Sequence, residues 1–568
     1  MYLFILRNYK RLSACIIVFS FFFSVFSAAS VSVLMPFVNF IFANGSMITI
    51  PLAIPLVPSN KELWLVILCL VTWMIFVLKN TFFVAAQRWT SVMKNDLLQK
   101  LREHYLQKTL AQPMNYFYTT PSGYIAARLF DASRQFADKL STSFYDIARA
   151  VPLIVIYAGI LVFISWKLTA LSLVLVPIIS FAGNRFNKIL QRSIAAEQHI
   201  LGRLVLQVQQ KIYGIKLVKL FNSEKQELEK FHQQNTELGH VLNARDHLES
   251  KGIAVIEMIG VSAGVILLYV IGTETLNGKF SYGPGGFVLF VAAVFSMIDP
   301  AKHLIRAVHT IGETKILWNT LHELEASPKK DAAHDVTVNS FNDRIEFSDV
   351  SFHFDDRAEL LFENLSLTIL KGEKIVLAGK SGIGKSTLID LMLGLMDPEK
   401  GSVTLDGIPV QRIRSENMSK LFGVVTQEAF LFHDSIKNNL TYHLSGVTDT
   451  DIIEAIRQVE LFEWFLKQPL GLDTWIGDRG QTMSGGEKQR LVLARMILRN
   501  PDILIFDEAT SALDIDAEKN MHEIIFRIFG NKTMLFISHR HTLHAFAERI
   551  VEIRRRGISD TKKASSFT

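Results

Sequence analysis

One glycine-rich stretch has residue types and spacing that suit the binding of a phosphate. Residues 379–387 read GKSGIGKST, so Gly379, Gly384, Lys385 and Ser386 fit the pattern G-x-x-x-x-G-K-[ST]. The apolar run before the stretch predicts a buried strand, and the run after it predicts a helix. In that setting backbone N–H groups surround the phosphates, the lysine reaches the β- and γ-phosphates, and the serine hydroxyl is offered to Mg²⁺.

Two adjacent carboxylates end a second apolar stretch, DILIFDE at 502–508. Asp507 is expected to hold Mg²⁺ directly or through water, and Glu508 to polarise the attacking water as a general base. Gln427 follows the predicted strand LFGVVT and can orient water or Mg²⁺. His539 follows the predicted strand TMLFIS and can donate to a γ-phosphate. Any one of these residues alone would be weak evidence, but their joint occurrence in this order predicts a nucleotide-hydrolysing site.

A second stretch that suits an anion is MSGGEKQR, residues 483–490. A serine and two glycines lead directly into a charged helix start, where backbone N–H groups and the helix dipole favour negative charge. One domain therefore has two anion-binding devices, about a hundred residues apart.

The elements that would position these residues differ between the two halves of the chain. The second half alternates strands and helices like an α/β domain. The first half holds the apolar excess of a chain that is 49% hydrophobic with 41 phenylalanines among 568 residues. Six of its runs are long enough to cross a bilayer as helices. These predicted spans are 13–43, 63–87, 143–165, 168–186, 252–273 and 285–305.

Positive charge lies on one side of these predicted spans. The two long connections are rich in Lys and Arg, whereas the other connections carry Lys61, Lys167 and Lys279. The positive-inside rule then puts both long connections and both termini in the cytoplasm. This placement accounts for the net charge of +6, so we expect the bilayer, and no nucleic acid, as a partner.

Together these features resemble a half-size ABC exporter, in which six spans precede one nucleotide-binding domain. The resemblance covers nearly the whole chain. It implies a membrane all-α domain of six helices with long cytoplasmic extensions (1–325), a linker (326–342) and an α/β P-loop ABC-type ATPase domain (343–568). It also implies ATP and Mg²⁺ as cofactors, a cytoplasmic ATPase domain and a location in a bacterial inner membrane.

The family's site residues can be carried over motif by motif. Phe354 stands where the family has a tyrosine that stacks on adenine, and SALD at 511–514 matches the D-loop. The resemblance assigns ATP binding to Phe354, Gly379, Lys380, Ser381, Gly382, Gly384, Lys385, Ser386, Thr387, Ser484, Gly485, Gly486 and Asp514. It assigns catalysis to Lys385, Gln427, Glu508 and His539. It assigns the metal to Ser386, Gln427 and Asp507.

The signature MSGGE departs from the usual L-S-G-G-Q at two positions. Met483 replaces Leu, which conserves an apolar side chain. Glu487 replaces Gln, and a carboxylate near the γ-phosphate is expected to weaken ATP binding unless a cation such as Lys488 compensates.

The resemblance also explains why one domain has two anion-binding devices. In the family, the signature of one chain caps the γ-phosphate of the ATP held by the other chain, so each chain holds half of two sites. Because Glu508 and His539 are both present, two copies of this chain are expected to form competent sites. A homodimer is therefore expected, while a heterodimer stays open. The family's coupling helices are expected near Ser122–Asp131 and Tyr213–Phe221, beside Gln427.

The implied function is an ATP-driven exporter or flippase that works by alternating access. It would move an amphipathic substrate (a lipid, a lipid-linked sugar or a hydrophobic compound) out of the cytoplasm or inner leaflet. Two alternatives stay open: an exporter of peptides or drugs, and a gated channel or regulator built on the same fold. Directional transport that requires turnover would separate a pump from a channel.

Two features of the first half have two interpretations each. Asp299, Lys302, Arg306, His309 and Glu313 share one helical face in span six. Either Lys302 and Arg306 attract an anionic headgroup, or the stripe is a solvated helical extension. The opening MYLFILRNYKRL either lies flat at the cytoplasmic interface or is a flank that follows the charge rule.

Overall fold

The computed structural model describes residues 7–42, 61–173, 193, 196–197, 200–276, 283–323, 336–354, 359–380, 382–477, 483–510, 515–538, 543, 547–554 and 557–563. The chain divides into two compact units. The membrane unit comprises Met1–Leu106 and Ala127–Leu324, and the nucleotide unit comprises Gln107–Ala126 and Glu325–Thr568. The nucleotide unit thus includes part of the first long connection, whereas the predicted domains assign this connection to the membrane domain.

Helices build the membrane unit and the connection inserted in it. Their bounds are α1 Lys10–Ser32, α2 Leu34–Phe42, α3 Lys61–Leu110, α4 Met114–Thr119, α5 Ser122–Ala127, α6 Ser133–Ile164, α7 Trp166–Leu173, α8 Ile215–Leu220, α9 Glu224–Leu276, α10 Gly283–Ser296 and α11 Ile298–His322. A π-helical turn, Arg128–Ala132, joins α5 to α6. Residues 200–213 are also helical.

Five helical segments of the described chain are long and apolar enough to cross a membrane. They are Lys10–Phe42, Lys61–Leu110, Ser122–Ile164, Glu224–Val270 and Gly285–His322. They cover five of the six predicted spans, apart from one to three residues at the ends of three of them. The predicted span 168–186 lies mostly outside the described residues, so the number six stays a prediction.

The pair α6 and α11 forms a long seam within the membrane unit. Apolar side chains fill part of it, and Phe136 of α6 lies against Trp318 of α11 with ring centroids 5.4 Å apart. Polar side chains of α11 and of Glu323 just after it pair along the seam with α6 and the π-turn before it: His303–Asp146 at 3.1 Å, Lys139–Glu313 at 2.5 Å and Arg128–Glu323 at 2.5 Å. Glu313 of the predicted polar stripe is therefore part of an interhelical pair.

Small residues allow α1 to lie close to its neighbours. Ser13, Ser20, Ser24 and Ser27 are buried on α1, and the Ser24 hydroxyl donates to the backbone carbonyl of Arg149 at 3.1 Å. Helices in a bilayer associate through such close packing and hydrogen bonds, because lipid offers no hydrophobic gain for pairing apolar faces.

Strands and helices alternate in the nucleotide unit. The strands are β1 Arg344–Phe352, β2 Phe362–Leu370, β3 Lys374–Ala378, β4 Lys400–Leu405, β5 Ile408–Pro409, β6 Phe422–Val425, β7 Asp434–Ser435, β8 Trp475–Ile476, β9 Ile503–Asp507, β10 Thr533–Ile537, β11 Arg549–Arg554 and β12 Gly557–Lys563. The helices are α12 Lys385–Met392, α13 Ser415–Leu421, α14 Ile436–Leu440, α15 Asp449–Gln458, α16 Phe462–Leu466, α17 Gly485–Arg499 and α18 Ile515–Phe529.

The larger sheet of the described chain has the order β12-β11-β3-β10-β9-β6, with β11 through β6 parallel. The interior residues of its central strands β3, β10 and β9 are apolar and buried, as is typical of a parallel sheet covered on both faces. A smaller antiparallel sheet has the order β2-β1-β4-β5. The parallel register brings the carboxyl ends of β3, β10, β9 and β6 to one edge, and this edge carries the predicted chemistry.

Candidate functional sites

The loop between β3 and α12 has the backbone that the glycine pattern predicts. Gly379, Gly382 and Gly384 have φ values of 155°, 75° and 106°. A Cβ at Gly379 would lie 2.8 Å from the carbonyl oxygen of Ile553, and one at Gly384 would lie 2.8 Å from the Phe362 ring. Glycine is therefore required for both conformation and space. The loop ends at the N-terminus of α12, where backbone N–H groups favour an anion.

Lys385 is the first residue of α12 and is 6% exposed. Its ammonium donates to the carbonyl oxygens of Gly379 at 2.7 Å and Lys380 at 3.1 Å. Burial lowers the pKa of Lys385, and the nearby carboxylates of Glu508 and Asp507 oppose that shift. The lysine thus bridges the two ends of the loop, close to the carboxylates predicted to act with it.

Ser386 and Asp507 meet at the edge of the sheet. The Ser386 hydroxyl donates to Asp507 Oδ2 at 3.0 Å. Burial raises the pKa of Asp507, the hydrogen bond from Ser386 opposes this shift, and the Glu508 charge adds to it. A hydroxyl and a carboxylate this close offer the hard oxygen ligands that Mg²⁺ prefers, so the residues fit the predicted metal. Bound Mg²⁺ would balance phosphate charge there.

Glu508 and Gln427 follow the carboxyl ends of the neighbouring strands β9 and β6. Val425 pairs with Phe506 in parallel register, and each predicted residue follows its paired strand residue by two positions. Glu508 is half-buried, has a φ of 49°, and its backbone N–H donates to the Ile537 carbonyl at 3.0 Å. A left-handed conformation at a non-glycine residue is uncommon and recurs at functional sites.

A cavity of about 350 Å³, here called the nucleotide cavity, lies beside α12. Phe354, Ser386, Thr387 and Asp390 line it, which places the predicted adenine-stacking residue and two phosphate-loop residues around one space. Phe354 is held edge-on against Phe352, with ring centroids 5.2 Å apart.

The other wall of the nucleotide cavity comes from α4, whose role the sequence did not predict. Asn115, Tyr118 and Thr119 line this side. The Tyr118 hydroxyl donates to Asp390 Oδ2 at 2.9 Å. Burial raises the pKa of both groups; the hydrogen bond from Tyr118 opposes the shift of Asp390, and the Asp507 charge adds to it. The predicted crosspiece near Ser122–Asp131 covers α5 and most of the π-turn. The contact with Asp390 is made by α4, and the position of the crosspiece beside Gln427 stays a prediction.

Ser484 is the N-cap of α17, and Glu487 completes a capping box with it. The Ser484 N–H donates to Glu487 Oε2 at 2.7 Å, and the Glu487 N–H donates to the Ser484 hydroxyl at 3.3 Å. Gly485 has open space around its Cα, and Gly486 follows it in the first turn. The glutamate that departs from the family signature is therefore bonded to its own helix start.

Three predicted site residues, Ser381, Asp514 and His539, lie outside the described residues. Among the described ones, Phe354, Ser386 and Thr387 share the nucleotide cavity, and Asp507 adjoins it through Ser386. Lys380 and Gly382 belong to the loop that Lys385 closes.

A separate cavity of about 340 Å³ lies in the membrane unit and is here called the membrane cavity. Lys79, Arg149 and Asp299 line it together with Phe23 and Phe83. The Arg149 guanidinium carbon lies 4.7 Å from the Phe23 ring centroid and 5.5 Å from that of Phe83, which are cation–π distances.

This lining only partly matches the stripe predicted on span six. Asp299 lies at the membrane cavity, whereas Lys302 and Arg306 are exposed on α11. The cations at the cavity come from α3 and α6, which the sequence did not single out. The substrate roles of Lys302 and Arg306 therefore stay a prediction.

Comparison with known proteins decides the family. The model of the ABC transporter transmembrane region matches residues 14–298, half of the chain, and the ABC transporter model matches residues 362–511. The chain belongs to the ABC transporter family. The resemblance seen in the sequence is thereby confirmed, with the fold class of a helical membrane domain followed by an α/β ATPase domain.

Relatives of this ABC transporter span most of its length. An ATP-dependent lipid A-core flippase of Desulfotalea psychrophila is 28% identical over 84% of this chain and 83% of its own. The uncharacterized ABC transporter ATP-binding protein YwjA of Bacillus subtilis is 30% identical over 82% of this chain and 80% of its own. A solved bacterial Atm1-family ABC exporter with ATP bound has a TM-score of 0.82 at 18% identity, covering 99% of this chain and 96% of that one. It shares the fold.

As an ABC transporter, the protein is an integral membrane protein that binds ATP and couples its hydrolysis to transport. The catalytic, ATP and metal roles assigned to individual residues stay predictions. The geometry of the described site residues is compatible with them.

Proposed function

We propose that this ABC transporter is a half-size flippase or exporter that moves an anionic amphiphile away from the cytoplasmic leaflet of a bacterial inner membrane. The observation that supports this proposal is the lining of the membrane cavity. Lys79 and Arg149 face one space with aromatic rings beside them, and charged side chains at such positions in a membrane helix bundle mark substrate paths. Asp299 offsets one of the two positive charges, which leaves the lining cationic.

The relatives give the proposal a chemical class. Several of them are named ATP-dependent lipid A-core flippases, and a phosphate-bearing glycolipid suits a cationic, aromatic-lined cavity. Two chains form the proposed transporter, with ATP and Mg²⁺ between the loop of one and Ser484–Gly486 of the other. The bound nucleotide supplies the driving force through its affinity for the closed dimer.

Lipid-stimulated ATPase activity in proteoliposomes tests the substrate class. A phosphorylated glycolipid should stimulate turnover more than its dephosphorylated counterpart of equal chain length. Lys79→Gln and Arg149→Gln should each raise the lipid concentration for half-maximal stimulation by roughly tenfold, the scale of one charged hydrogen bond. Basal ATPase activity should persist.

Lys302→Gln is the matched comparison, because it removes a cation that is exposed on α11. It should respond to the phosphorylated lipid as the parent does. Equal stimulation by both lipids would overturn the anionic substrate, and a defect in Lys302→Gln alone would move substrate recognition to the stripe on span six.

A further inference from the structure

A third cavity lies where the chain enters its first predicted span. It has a volume of about 540 Å³ and is formed between residues 7–12 and the part of α3 around residues 92–100. We call it the N-terminal cavity. Four cations line it: Arg7, Lys10, Arg11 and Lys100.

The charge of this lining is strongly unbalanced. Among the described residues, Asp96 is the one carboxylate in the lining, and its Oδ2 lies 2.7 Å from the ammonium of Lys100. That pair neutralises itself, so the remaining positive charge belongs to Arg7, Lys10 and Arg11. All three have exposed side chains. The cavity is therefore a cationic space with a local charge excess of three.

The floor of the N-terminal cavity is fixed by packing. Tyr9 is 7% exposed and belongs to a buried cluster with Met93, Leu97 and Leu101 of α3. The Lys100 ammonium lies 5.1 Å from the Tyr9 ring centroid. The residues on either side of Tyr9 are thus held against α3, which keeps the cations around one space.

Exposed apolar side chains continue from these cations along α1. Ile17 and Val18 are 41% and 49% exposed. They follow Lys10 and Arg11 by seven residues, two helical turns, and so share their faces of α1. This arrangement sets cationic groups beside an apolar surface at the start of a membrane helix.

We propose that the N-terminal cavity binds the headgroup phosphate of an anionic glycerophospholipid at the cytoplasmic surface of the membrane. Arginine and lysine donate to phosphate oxygens, and the apolar face of α1 accepts the acyl chains. The apolar surface favours a lipid over free phosphate. This site is separate from the membrane cavity, so the proposal does not depend on the proposed substrate.

Native mass spectrometry of the full chain in mild detergent tests the site. The binding of phosphatidylglycerol and phosphatidylcholine would be measured in a Lys79→Gln/Arg149→Gln background, which removes the cations of the membrane cavity. Phosphatidylglycerol should bind more tightly. Changing Arg7, Lys10 and Arg11 to Gln together should weaken its binding on the order of a hundredfold, about fivefold per charge.

A variant that is expected to bind lipid more tightly shows that a loss of binding does not come from misfolding. Asp96→Asn removes the single carboxylate, so it should tighten phosphatidylglycerol binding by about fivefold. Arg88→Gln, which removes an exposed cation of α3 outside the cavity, should leave binding unchanged. Unaltered binding in the triple variant, or equal loss in Arg88→Gln, would overturn the site. Displacement of the lipid by millimolar inorganic phosphate would overturn a lipid as its ligand.

Discussion

At the scale of single residues, Glu487 shows how one substitution changes an anion site. Its carboxylate accepts the Ser484 N–H at 2.7 Å, one of the backbone donors that the signature would offer to a phosphate. The negative charge is favourable at the N-terminus of α17 and unfavourable beside a nucleotide. We therefore expect the side chain to stabilise the nucleotide-free chain and to compete with a phosphate bound at this helix start.

Glu487→Gln should bring ATP-driven dimer closure to lower ATP concentrations, by a few-fold to tenfold. The same change should lower the stability of the nucleotide-free chain by about 0.5 kcal/mol, since a favourable charge at the helix start is lost. ATP-dependent crosslinking of a dimer and thermal unfolding measure the two effects. Asp451→Asn is the matched control, because Asp451 caps α15 in the same way with Thr448. It should destabilise without changing closure.

Glu508→Gln should bind ATP normally and hydrolyse it at least a hundredfold more slowly, which is the contribution of a positioned general base. The variant should accumulate a closed, ATP-bound dimer. Nucleotide binding and phosphate release, measured on the same preparation, separate the two steps. Turnover near that of the parent would remove Glu508 from the role of base.

At the scale of elements, α4 rests on the phosphate-loop helix through Tyr118 and Asp390. Asp390 follows Ser386 by four residues on α12, so one face of this helix carries both the predicted metal ligand and the acceptor for the loop. We therefore expect α4 to respond to the state of the nucleotide site.

Tyr118→Phe should lower the ratio of substrate-stimulated to basal ATPase activity by several-fold. The lost hydrogen bond is partly exposed and contributes on the order of 1 kcal/mol, enough to loosen α4 without unfolding the unit. Tyr269→Phe, at a 74% exposed position of α9 outside both predicted coupling helices, should keep the ratio of the parent. An unchanged ratio in Tyr118→Phe would show that α4 does not couple the two activities.

Asp390 also predicts a pH dependence. Burial raises its pKa in the folded chain, so its contribution to stability is full below the ordinary Asp pKa and is lost as pH rises through the raised value. Asp390→Asn should therefore match the parent at low pH and have the higher Tm as pH rises from about 4 to neutrality. Thermal unfolding of the nucleotide-free chain measures this difference, with Asp473→Asn as an exposed control. A constant difference across the range would contradict the burial argument.

At the scale of the whole molecule, each chain holds half of two proposed sites. Chains that carry Ser484→Arg, mixed with chains that carry Lys385→Ala, should form dimers in which both lesions fall in one site and the other site is intact. The mixture should then bind close to one ATP per mixed dimer, as measured with labelled nucleotide. Binding no better than in either variant alone would contradict a shared site.

The sequence predicted best what is encoded locally. The glycine loop, the paired carboxylates at the end of β9 and the membrane segments each follow from a contiguous pattern. Tyr118 and Asp390 lie 272 residues apart, and neither position is marked by its neighbours. Lys79 and Arg149 likewise meet only through packing of α3 and α6, whereas the helical spacing of Lys302 and Arg306 defines a face without showing what it faces.

The capping role of Glu487 was not predicted from the sequence, for a different reason. The sequence gives its charge and its distance along the chain from Ser484, and an S-x-x-E pattern is itself a capping signal. Because the family motif assigns the same residues to nucleotide binding, the capping pattern was not recognised in the sequence. The structure shows the capping box between Ser484 and Glu487, whereas the nucleotide role of these residues stays a prediction.

The hydrogen bonds from Lys385 to the carbonyls of Gly379 and Lys380 have a thermodynamic consequence. The Lys385 ammonium already has hydrogen-bond acceptors at Gly379 and Lys380 before a ligand arrives, so we expect a nucleotide to exchange hydrogen-bond partners at this lysine. ADP binding, which needs no second chain, should then show a small heat-capacity change in calorimetry, because little apolar surface leaves water. Such an exchange of partners would let the transporter empty and refill its nucleotide site in every cycle at a small conformational cost.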